Sequence, residues 1–181
     1  MAPMRRLVLA LALSVGLGAC VTESVVFTSV ATPSLTVDLS SPAFDDGGSI
    51  PVSNTCDGAD VSPPLAWGSV PDGVEAFALI VEDPDAGGFI HWVLTDIPGD
   101  LRELPEDQGD AIGAPGATSF GRSGWGGPCP PSGEHHYVFT LYALSAPLGL
   151  DSSATATQVR AAADEVLVAA GQLTGVYARG G

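Results

Sequence analysis

Hydrophobic residues come in short runs along most of the chain, separated by glycine, proline and aspartate. Residues 35–39 alternate between apolar and polar side chains, a pattern typical of a half-buried strand. Residues 77–81 and 92–95 are continuous apolar runs of strand length, and residues 137–144 are rich in aromatic and β-branched side chains. Residues 173–177 fit a last short strand. The pattern therefore predicts several short strands.

One segment near the end has a different period. Over residues 157–171 the apolar side chains recur at helical spacing, and Gly171 stands where a helix would stop. The residues that form this stripe are Val159, Ala162, Ala163, Val166, Leu167 and Ala170. We find no internal repeat, heptad pattern or second domain. Several strands with one late helix predict a mainly β protein, a β-sandwich with one short C-terminal helix.

Composition supports this prediction and excludes some partners. The chain has 23 glycines and 15 prolines, which favours many turns over long helices. Its 21 acidic and 6 basic residues give a net charge of −15. Such a charge argues against a general electrostatic grip on nucleic acid and against adsorption to anionic lipid surfaces. It does not exclude a small local site for an anion.

The first twenty residues are typical of an export signal. Arg5 and Arg6 precede an apolar run over residues 7–17, which is too short to span a bilayer as a stable helix. The sequence LGAC that ends at Cys20 resembles the bacterial lipobox; a generic secretory signal or a buried helix are the alternatives. We predict a lipoprotein signal peptide (1–19), acylation of Cys20, a flexible tether (20–33) and one domain (34–181). The protein is then expected on the cell envelope, at the periplasmic side of the outer membrane in a Gram-negative host, because valine follows the cysteine.

Lipidation of Cys20 leaves Cys56 and Cys129, an even pair in an oxidising compartment. The spacing of the two cysteines in the sequence does not by itself distinguish a disulfide from two free thiols. A disulfide would stabilise the fold by roughly 4–5 kcal/mol in the chain-entropy model.

The three histidines lie in two short stretches, residues 82–92 and 124–137, both of which contain Gly- and Pro-rich loops. His135 and Tyr137 are two residues apart in a predicted strand, so their side chains point to the same face; His136 points to the other. Imidazoles, a phenol and backbone N–H groups together offer donors for the oxygens of a phosphate, and a nearby aspartate fixes the tautomer of a histidine.

Several simpler roles remain open for these residues. Asp83 and Asp85 are also the residue type that caps a turn, and His136 fits a solvated strand position. His91 and His135 fit buried structural histidines. Asp83 with those two histidines has the composition of a metal site with two histidines and one carboxylate, but the usual ligand spacings are missing. Hydrolase chemistry has less support, since there is no Gly-x-Ser-x-Gly motif and Ser132 lacks an evident base.

Three blocks of this sequence resemble the phosphatidylethanolamine-binding protein family, in particular its bacterial Raf kinase inhibitor-like branch. They are NTCDGADVSPPLAW at 54–67, DPDAG with FIHWVLTDIP within 83–98, and GGPCPPSGEHHYVFTLYAL at 126–144. The resemblance implies a β-sandwich with a small anion pocket at one end. It assigns to the pocket the residues Asp83, Asp85, His91, Cys129, Pro130, Pro131, His135 and Tyr137. It also places both cysteines at the pocket end, from which we predict a Cys56–Cys129 disulfide.

Two positions depart from the family pattern. Gly87 stands where proline is usual, which implies a looser loop, and Trp125 stands where tyrosine is usual, which implies a reshaped pocket mouth. The C-terminal pocket elements of eukaryotic members are not recognisable in this sequence.

These observations predict a non-catalytic binding protein for phosphate or a phosphorylated headgroup, with no cofactor and no bound metal. An inhibitor of a protease or other envelope enzyme is the alternative, and a metal-dependent or other hydrolase is third. The expected partners are a small phosphorylated ligand or phospholipid headgroup, an envelope protein in the alternative, and the membrane through the lipid anchor only.

Overall fold

The computed structural model of the protein describes residues 35–179. The predicted signal peptide, Cys20 and the tether lie outside these residues. Within them the chain forms the strands β1 (Leu39–Ser40), β2 (Gly48–Ser49), β3 (Leu65–Trp67), β4 (Ala76–Asp83), β5 (Phe89–Pro98), β6 (Glu103–Leu104), β7 (Ala114–Pro115), β8 (Glu134–Leu144) and β9 (Leu167–Ala178). The α-helices are α1 (Gly109–Ile112) and α2 (Ala156–Glu165), and the 3₁₀ turns are Val52–Asn54 and Pro84–Ala86. Neither α-helix is long and apolar enough to cross a membrane.

The strands form two sheets. The larger has the order β2-β9-β8-β4-β5-β7 and the smaller the order β1-β3-β6. All neighbours in the two sheets are antiparallel except β2 and β9, which are parallel. The longest strands, β4, β5, β8 and β9, are adjacent in the larger sheet. The ends of segments that are far apart in the sequence therefore lie side by side.

The core lies between the sheets, and a second apolar cluster covers the other face of the larger sheet. In β4, Phe77, Leu79 and Val81 belong to the core between the sheets. The alternate residues Ala78 and Ile80 pack in the second cluster, with α2. Both faces of β4 are therefore buried, which explains why its sequence is a continuous apolar run and not an alternating one.

Helix α2 starts with a capping box. The Thr155 hydroxyl accepts from the backbone N–H of Gln158, and the Gln158 side chain accepts in return from the backbone N–H of Thr155. Val159 and Ala163 form the buried face of the helix against the larger sheet. The capping groups accept hydrogen bonds from backbone N–H groups that would otherwise lack partners at the N-terminus of the helix.

The predicted helix over 157–171 is wrong in its second half. Helix α2 ends at Glu165, and β9 starts at Leu167 and replaces both the end of that helix and the short strand predicted at 173–177. Gly171 is not a helix stop: it lies in β9, where a Cβ atom would come within 2.1 Å of the Val37 carbonyl oxygen. β9 contains three alanines and two glycines, and these small residues obscured its period of two in the sequence.

The predicted class, a mainly β sandwich with one short C-terminal helix, is confirmed. The apolar runs at 77–81, 92–95 and 137–144 lie in β4, β5 and β8. The alternating segment at 35–39 is less regular: Thr36 forms a single bridge with Ala170, and β1 starts only at Leu39.

Candidate functional site

One end of the larger sheet contains a small cavity of about 180 Å³. Strand β4 ends there, and β5 and β8 start there, so residues that are far apart in the sequence converge. The ten residues that line the cavity are Asp83, Ala86, Phe89, His91, Phe120, Cys129, Pro130, Pro131, His135 and Tyr137. The structure thus brings together seven of the eight residues that the sequence assigned to a ligand pocket.

Asp83 is the last residue of β4 and is 98% buried, with 2% of its surface exposed. Its Oδ1 accepts a hydrogen bond from the backbone N–H of Ala86 at 3.0 Å and caps the turn Pro84–Ala86. Its Oδ2 lies 2.7 Å from Nδ1 of His135. The carboxylate therefore caps the turn and also lines the cavity.

His135 and Tyr137 start β8 on the face that continues into the core through Phe139 and Leu141. The predicted alternation is correct, because His136 lies on the other face with its side chain 53% exposed. The Tyr137 hydroxyl is buried and makes no hydrogen bond of normal geometry to residues 35–179, although the backbone of Cys129 lies close enough to lower the pKa of the hydroxyl. Burial, followed by the negative charge of Asp83, raises the pKa of Tyr137, so the group stays a phenol at neutral pH.

His91 reaches the cavity through an irregularity in β5. Val81 pairs with Trp92 and Glu82 pairs with Ile90, so His91 is an extra residue in the ladder. Bulges of this kind turn a side chain away from its regular face and are common beside functional sites. Here the bulge turns His91 toward the cavity, edge-on to Tyr137 with ring centroids 5.1 Å apart.

The segment 124–131, which we call the pocket loop, is fixed at several points. The Gly126 carbonyl lies 2.7 Å from Nδ1 of His91, and the Gly127 N–H donates to Oδ1 of Asp60 at 2.7 Å. Asp60 itself has a φ of 56°, in the left-handed region. A Cβ atom at Gly127 would come within 2.5 Å of the same Asp60 oxygen, so only glycine fits this approach. Asp60 positions the pocket loop, a role that sequence reasoning missed.

The predicted disulfide is present. Cys56 and Cys129 are bonded with their Cα atoms 5.5 Å apart, and the N–H of Cys56 also donates to the Pro128 carbonyl at 3.1 Å. Because Cys129 lines the cavity beside Pro130 and Pro131, the disulfide attaches the cavity wall to the turn after Val52–Asn54.

The outer part of the cavity is aromatic. Phe89 and Phe120 pack edge-to-face with centroids 4.9 Å apart, and Phe120 is in similar contact with His91 at 5.3 Å. Sequence reasoning missed both phenylalanines. Phe89 faces Asp83 across the β4–β5 pair, a position that a correct strand alignment would have revealed. Phe120 lies in a loop without a strand pattern, so the sequence offered no comparable signal.

The two departures from the family pattern have different outcomes from those expected. Gly87 has a φ of 69°, which proline cannot adopt, and its N–H donates to the Pro84 carbonyl at 3.2 Å. The loop is thus closed by its own hydrogen bonds, and the Gly88 N–H adds one to the carbonyl of Asp83. Trp125 does not line the cavity: it is 7% exposed and packs in the core with its ring edge-on to Trp92.

Asp85 is the one predicted ligand residue that the structure does not bring to the cavity. Its Oδ2 accepts from both the backbone N–H and Nδ1 of His136, each at 2.8 Å, on the opposite face of β8. These hydrogen bonds lower the pKa of Asp85. The pair connects the turn Pro84–Ala86 to β8 and leaves Asp83 as the only carboxylate in the lining.

Within residues 35–179, no group of three or more His, Cys, Asp or Glu side chains is placed to hold a metal ion. Asp83 already accepts hydrogen bonds on both oxygens, one of them from His135, and His91 bonds a backbone carbonyl. Both oxygens of Asp83 and Nδ1 of each histidine are thus engaged in hydrogen bonds within the protein.

Comparisons with known proteins agree with this fold. The family model for phosphatidylethanolamine-binding proteins matches residues 40–178. A UPF0098 protein of Methanothermobacter thermautotrophicus is 42% identical over 151 residues, which is 80% of this chain and 100% of that protein. The putative lipoprotein LppC of Mycobacterium tuberculosis is 42% identical over 143 residues, 77% of this chain and 71% of LppC.

Two solved structures share the fold. CT736 of Chlamydia trachomatis, described as a putative phosphatidylethanolamine-binding protein homologue, has a TM-score of 0.76 and 34% identity, with 81% of this chain and all of CT736 covered. YbcL of Escherichia coli, described as a member of the mammalian family of these proteins, has a TM-score of 0.74 and 31% identity, with 80% of this chain and 99% of YbcL covered. The family-model match over residues 40–178, together with these relatives, shows that this chain belongs to the phosphatidylethanolamine-binding protein family.

Proposed function

We propose that the protein binds a small oxyanion, phosphate or a phosphorylated headgroup, in the cavity at the end of β4, β5 and β8. The observation that carries this proposal is the buried Tyr137 hydroxyl without a partner. A buried polar group left without a hydrogen bond costs about 1–3 kcal/mol, and such groups are rare in native proteins. An acceptor oxygen on a ligand would relieve that cost.

The rest of the lining supports a binding role. His135 and His91 lie beside Tyr137, and each has a ring nitrogen, Nε2, that makes no hydrogen bond to residues 35–179. Pro130, Pro131 and the two phenylalanines form apolar walls that exclude water and strengthen polar contacts inside.

The lining also supports binding over catalysis. It contains no serine, threonine or lysine, and its cysteine is held in the disulfide. No lining residue therefore supplies an activated hydroxyl, thiol or amine nucleophile of the usual kind.

We further propose that the protein acts on the cell envelope as a lipoprotein. The lipobox-like sequence before Cys20 supports this location, as does the likeness to LppC, which is named a putative lipoprotein. A lipid anchor of two or three acyl chains would hold the pocket near a membrane in spite of the acidic charge of the chain.

Calorimetric titration of phosphorylethanolamine into the purified protein at pH 6 tests the binding function. We expect binding in the wild type and at least tenfold weaker binding in Tyr137→Phe, because a hydrogen bond to a charged group contributes about 1.5–3 kcal/mol. The same substitution removes a hydroxyl without a hydrogen-bond partner, so the free energy of unfolding of the ligand-free variant should equal or exceed that of the wild type.

His136→Ala is the matched control. It removes the neighbouring imidazole on the opposite, exposed face of β8 and should bind as the wild type does. Equal affinity in the wild type and Tyr137→Phe would contradict the proposal, as would the absence of binding in the wild type.

A further inference from the structure

The Cys56–Cys129 disulfide lies at the point where the pocket loop changes its attachment to the rest of the fold. Before Cys129, residues 126–128 each make a backbone hydrogen bond with another segment of the chain. After it, residues 130–132 make no hydrogen bond to other residues within 35–179. Two of these three are prolines, which have no N–H to donate and which form a wall of the cavity. The disulfide is therefore the attachment that holds this wall.

Cys56 lies in a turn that other contacts hold in place. The Gly58 N–H donates to the Thr55 carbonyl, and the Thr55 hydroxyl donates to a carbonyl of the preceding 3₁₀ turn. The next residue, Asp57, accepts hydrogen bonds from the Arg179 guanidinium on both of its oxygens. Opening the disulfide would therefore leave Cys56 in position and free the side of the bond that carries the cavity wall.

Both cysteines are accessible from the solvent. Cys56 and Cys129 are exposed residues, and Cys129 also lines the cavity. Thiol–disulfide exchange begins when a thiolate attacks one of the two sulfurs, so exposed disulfides are the more easily reduced ones and the ones used in regulation. A reductant can thus reach this bond in the folded protein.

We propose that the disulfide is a redox switch for the cavity: its reduction by a dithiol protein of the envelope releases the cavity wall and weakens ligand binding. This inference rests on the proposed function and adds a regulation of that same site. A thiolate of the dithiol attacks one sulfur and forms a mixed disulfide, and the other cysteine leaves as a thiolate. The second thiol of the reductant then attacks the mixed disulfide. Two electrons and two protons pass to Cys56 and Cys129, and the reductant becomes a disulfide.

Ligand binding and the redox state of the cysteines must influence each other equally. If the oxidised protein binds a ligand tenfold more tightly than the reduced protein, the ligand stabilises the disulfide by the same factor. For a two-electron couple, a tenfold change in the equilibrium constant corresponds to about 30 mV. A ligand in the cavity therefore protects the disulfide, and an empty cavity leaves it open to reduction.

Mixtures of oxidised and reduced dithiothreitol at pH 7, kept free of oxygen, test the reduction step. We expect the purified wild type to be reduced while it stays folded, as followed by thiol alkylation with mass spectrometry and by far-UV circular dichroism. In ¹⁵N NMR spectra, reduction should shift the amide signals of Cys129 and Ser132. It should leave the signal of the Gly127 N–H, which donates to Asp60, nearly unchanged.

Titration calorimetry with phosphorylethanolamine in the same mixtures tests the coupling. We expect reduction to raise the Kd about tenfold, since coupled sites typically change affinity by roughly 5–150-fold. Saturating phosphorylethanolamine should make the midpoint potential of the disulfide about 30 mV more negative, as the linkage requires. Cys56→Ser/Cys129→Ser is the matched control: its Kd should equal that of the reduced wild type and should not respond to dithiothreitol.

The outcomes separate this inference from the proposed function. A disulfide that stays oxidised in reduced dithiothreitol would overturn the inference, as would global unfolding on reduction. Equal affinity of the reduced and oxidised proteins for phosphorylethanolamine would also overturn it, while the anion site stands. Failure of the oxidised wild type to bind would instead overturn the proposed function, and the NMR spectra would still show whether reduction releases the cavity wall.

Discussion

At the scale of single residues, the cavity depends on side chains that have two tasks each. Asp83 caps a turn with one oxygen and orients His135 with the other. His91 uses Nδ1 to bond the pocket loop at Gly126 and leaves Nε2 for the cavity. Because both oxygens of Asp83 and Nδ1 of each histidine are hydrogen-bonded within the protein, these side chains are held in fixed orientations.

His91 should make the fold sensitive to acid. Burial lowers the pKa of His91 below its ordinary value of 6.5, so below about pH 6.5 the unfolded chain binds a proton more readily than the folded one. The contribution of His91 to stability is therefore full at neutral pH and is lost as the pH falls from 6.5 toward the lower pKa of the folded state.

We expect His91→Gln to lose less stability than the wild type between pH 7 and pH 5, because glutamine still donates to the Gly126 carbonyl but does not titrate. Urea denaturation at both pH values measures this difference. An equal loss in the wild type and His91→Gln would show that His91 is not the acid-sensitive group.

At the scale of elements, strand ends and loops decide where the chemistry lies. The inward series of β4, from Phe77 through Leu79 and Val81, ends at Asp83, and the corresponding series of β8 begins at His135. The bulge in β5 adds His91 to the same end. The pocket loop closes the cavity because Asp60 and the disulfide both fix it.

The disulfide should stabilise the fold and preserve the cavity wall. It joins residues 73 positions apart, for which the chain-entropy model gives about 4 kcal/mol. The double variant Cys56→Ser/Cys129→Ser should lower the free energy of unfolding by about that amount and weaken phosphorylethanolamine binding, since Pro130 and Pro131 are then held less firmly.

Chemical denaturation without reductant measures the first effect, and calorimetry at pH 6 measures the second. The wild type in reductant is the control and should behave as the double variant does. An unchanged denaturation midpoint in the double variant would contradict a stabilising disulfide.

At the scale of the whole molecule, a net charge of −15 coexists with a site proposed for an anion. The cavity lining contributes only one carboxylate, Asp83, and that group is bonded to His135. The acidic side chains are otherwise outside the lining, so they oppose the approach of an anion at long range more than they oppose its contacts.

The proposed membrane location depends on Cys20, which lies outside the described residues. If Cys20 is acylated, metabolic labelling with palmitate should mark the wild-type protein and not Cys20→Ala, and only the wild type should sediment with membranes. Two acyl chains suffice for stable anchoring. The absence of label from both proteins would show that the lipobox-like sequence is not processed.

The amino-acid sequence by itself determined the class of the fold and most of the cavity. Apolar runs bounded by glycine and proline located β4, β5 and β8, since burial and turn formation depend on local pattern. The alternation of side chains along a strand correctly placed His135 and Tyr137 on one face of β8 and His136 on the other. The remaining pocket residues came from motif resemblance, and the structure brought all of these except Asp85 to the cavity.

Tertiary structure alone decided the features that depend on contacts between distant segments. The bulge at His91 follows from its pairing with β4, and the extent of β9 follows from its pairing with β8, which overrode an Ala-rich helical pattern. Nδ1 of His91 and Nδ1 of His135 found their hydrogen-bond partners in Gly126 and Asp83, which are 35 and 52 residues away in the chain. Local periodicity cannot report such contacts, because a hydrogen-bond partner is defined by the folded geometry and not by the neighbours in sequence.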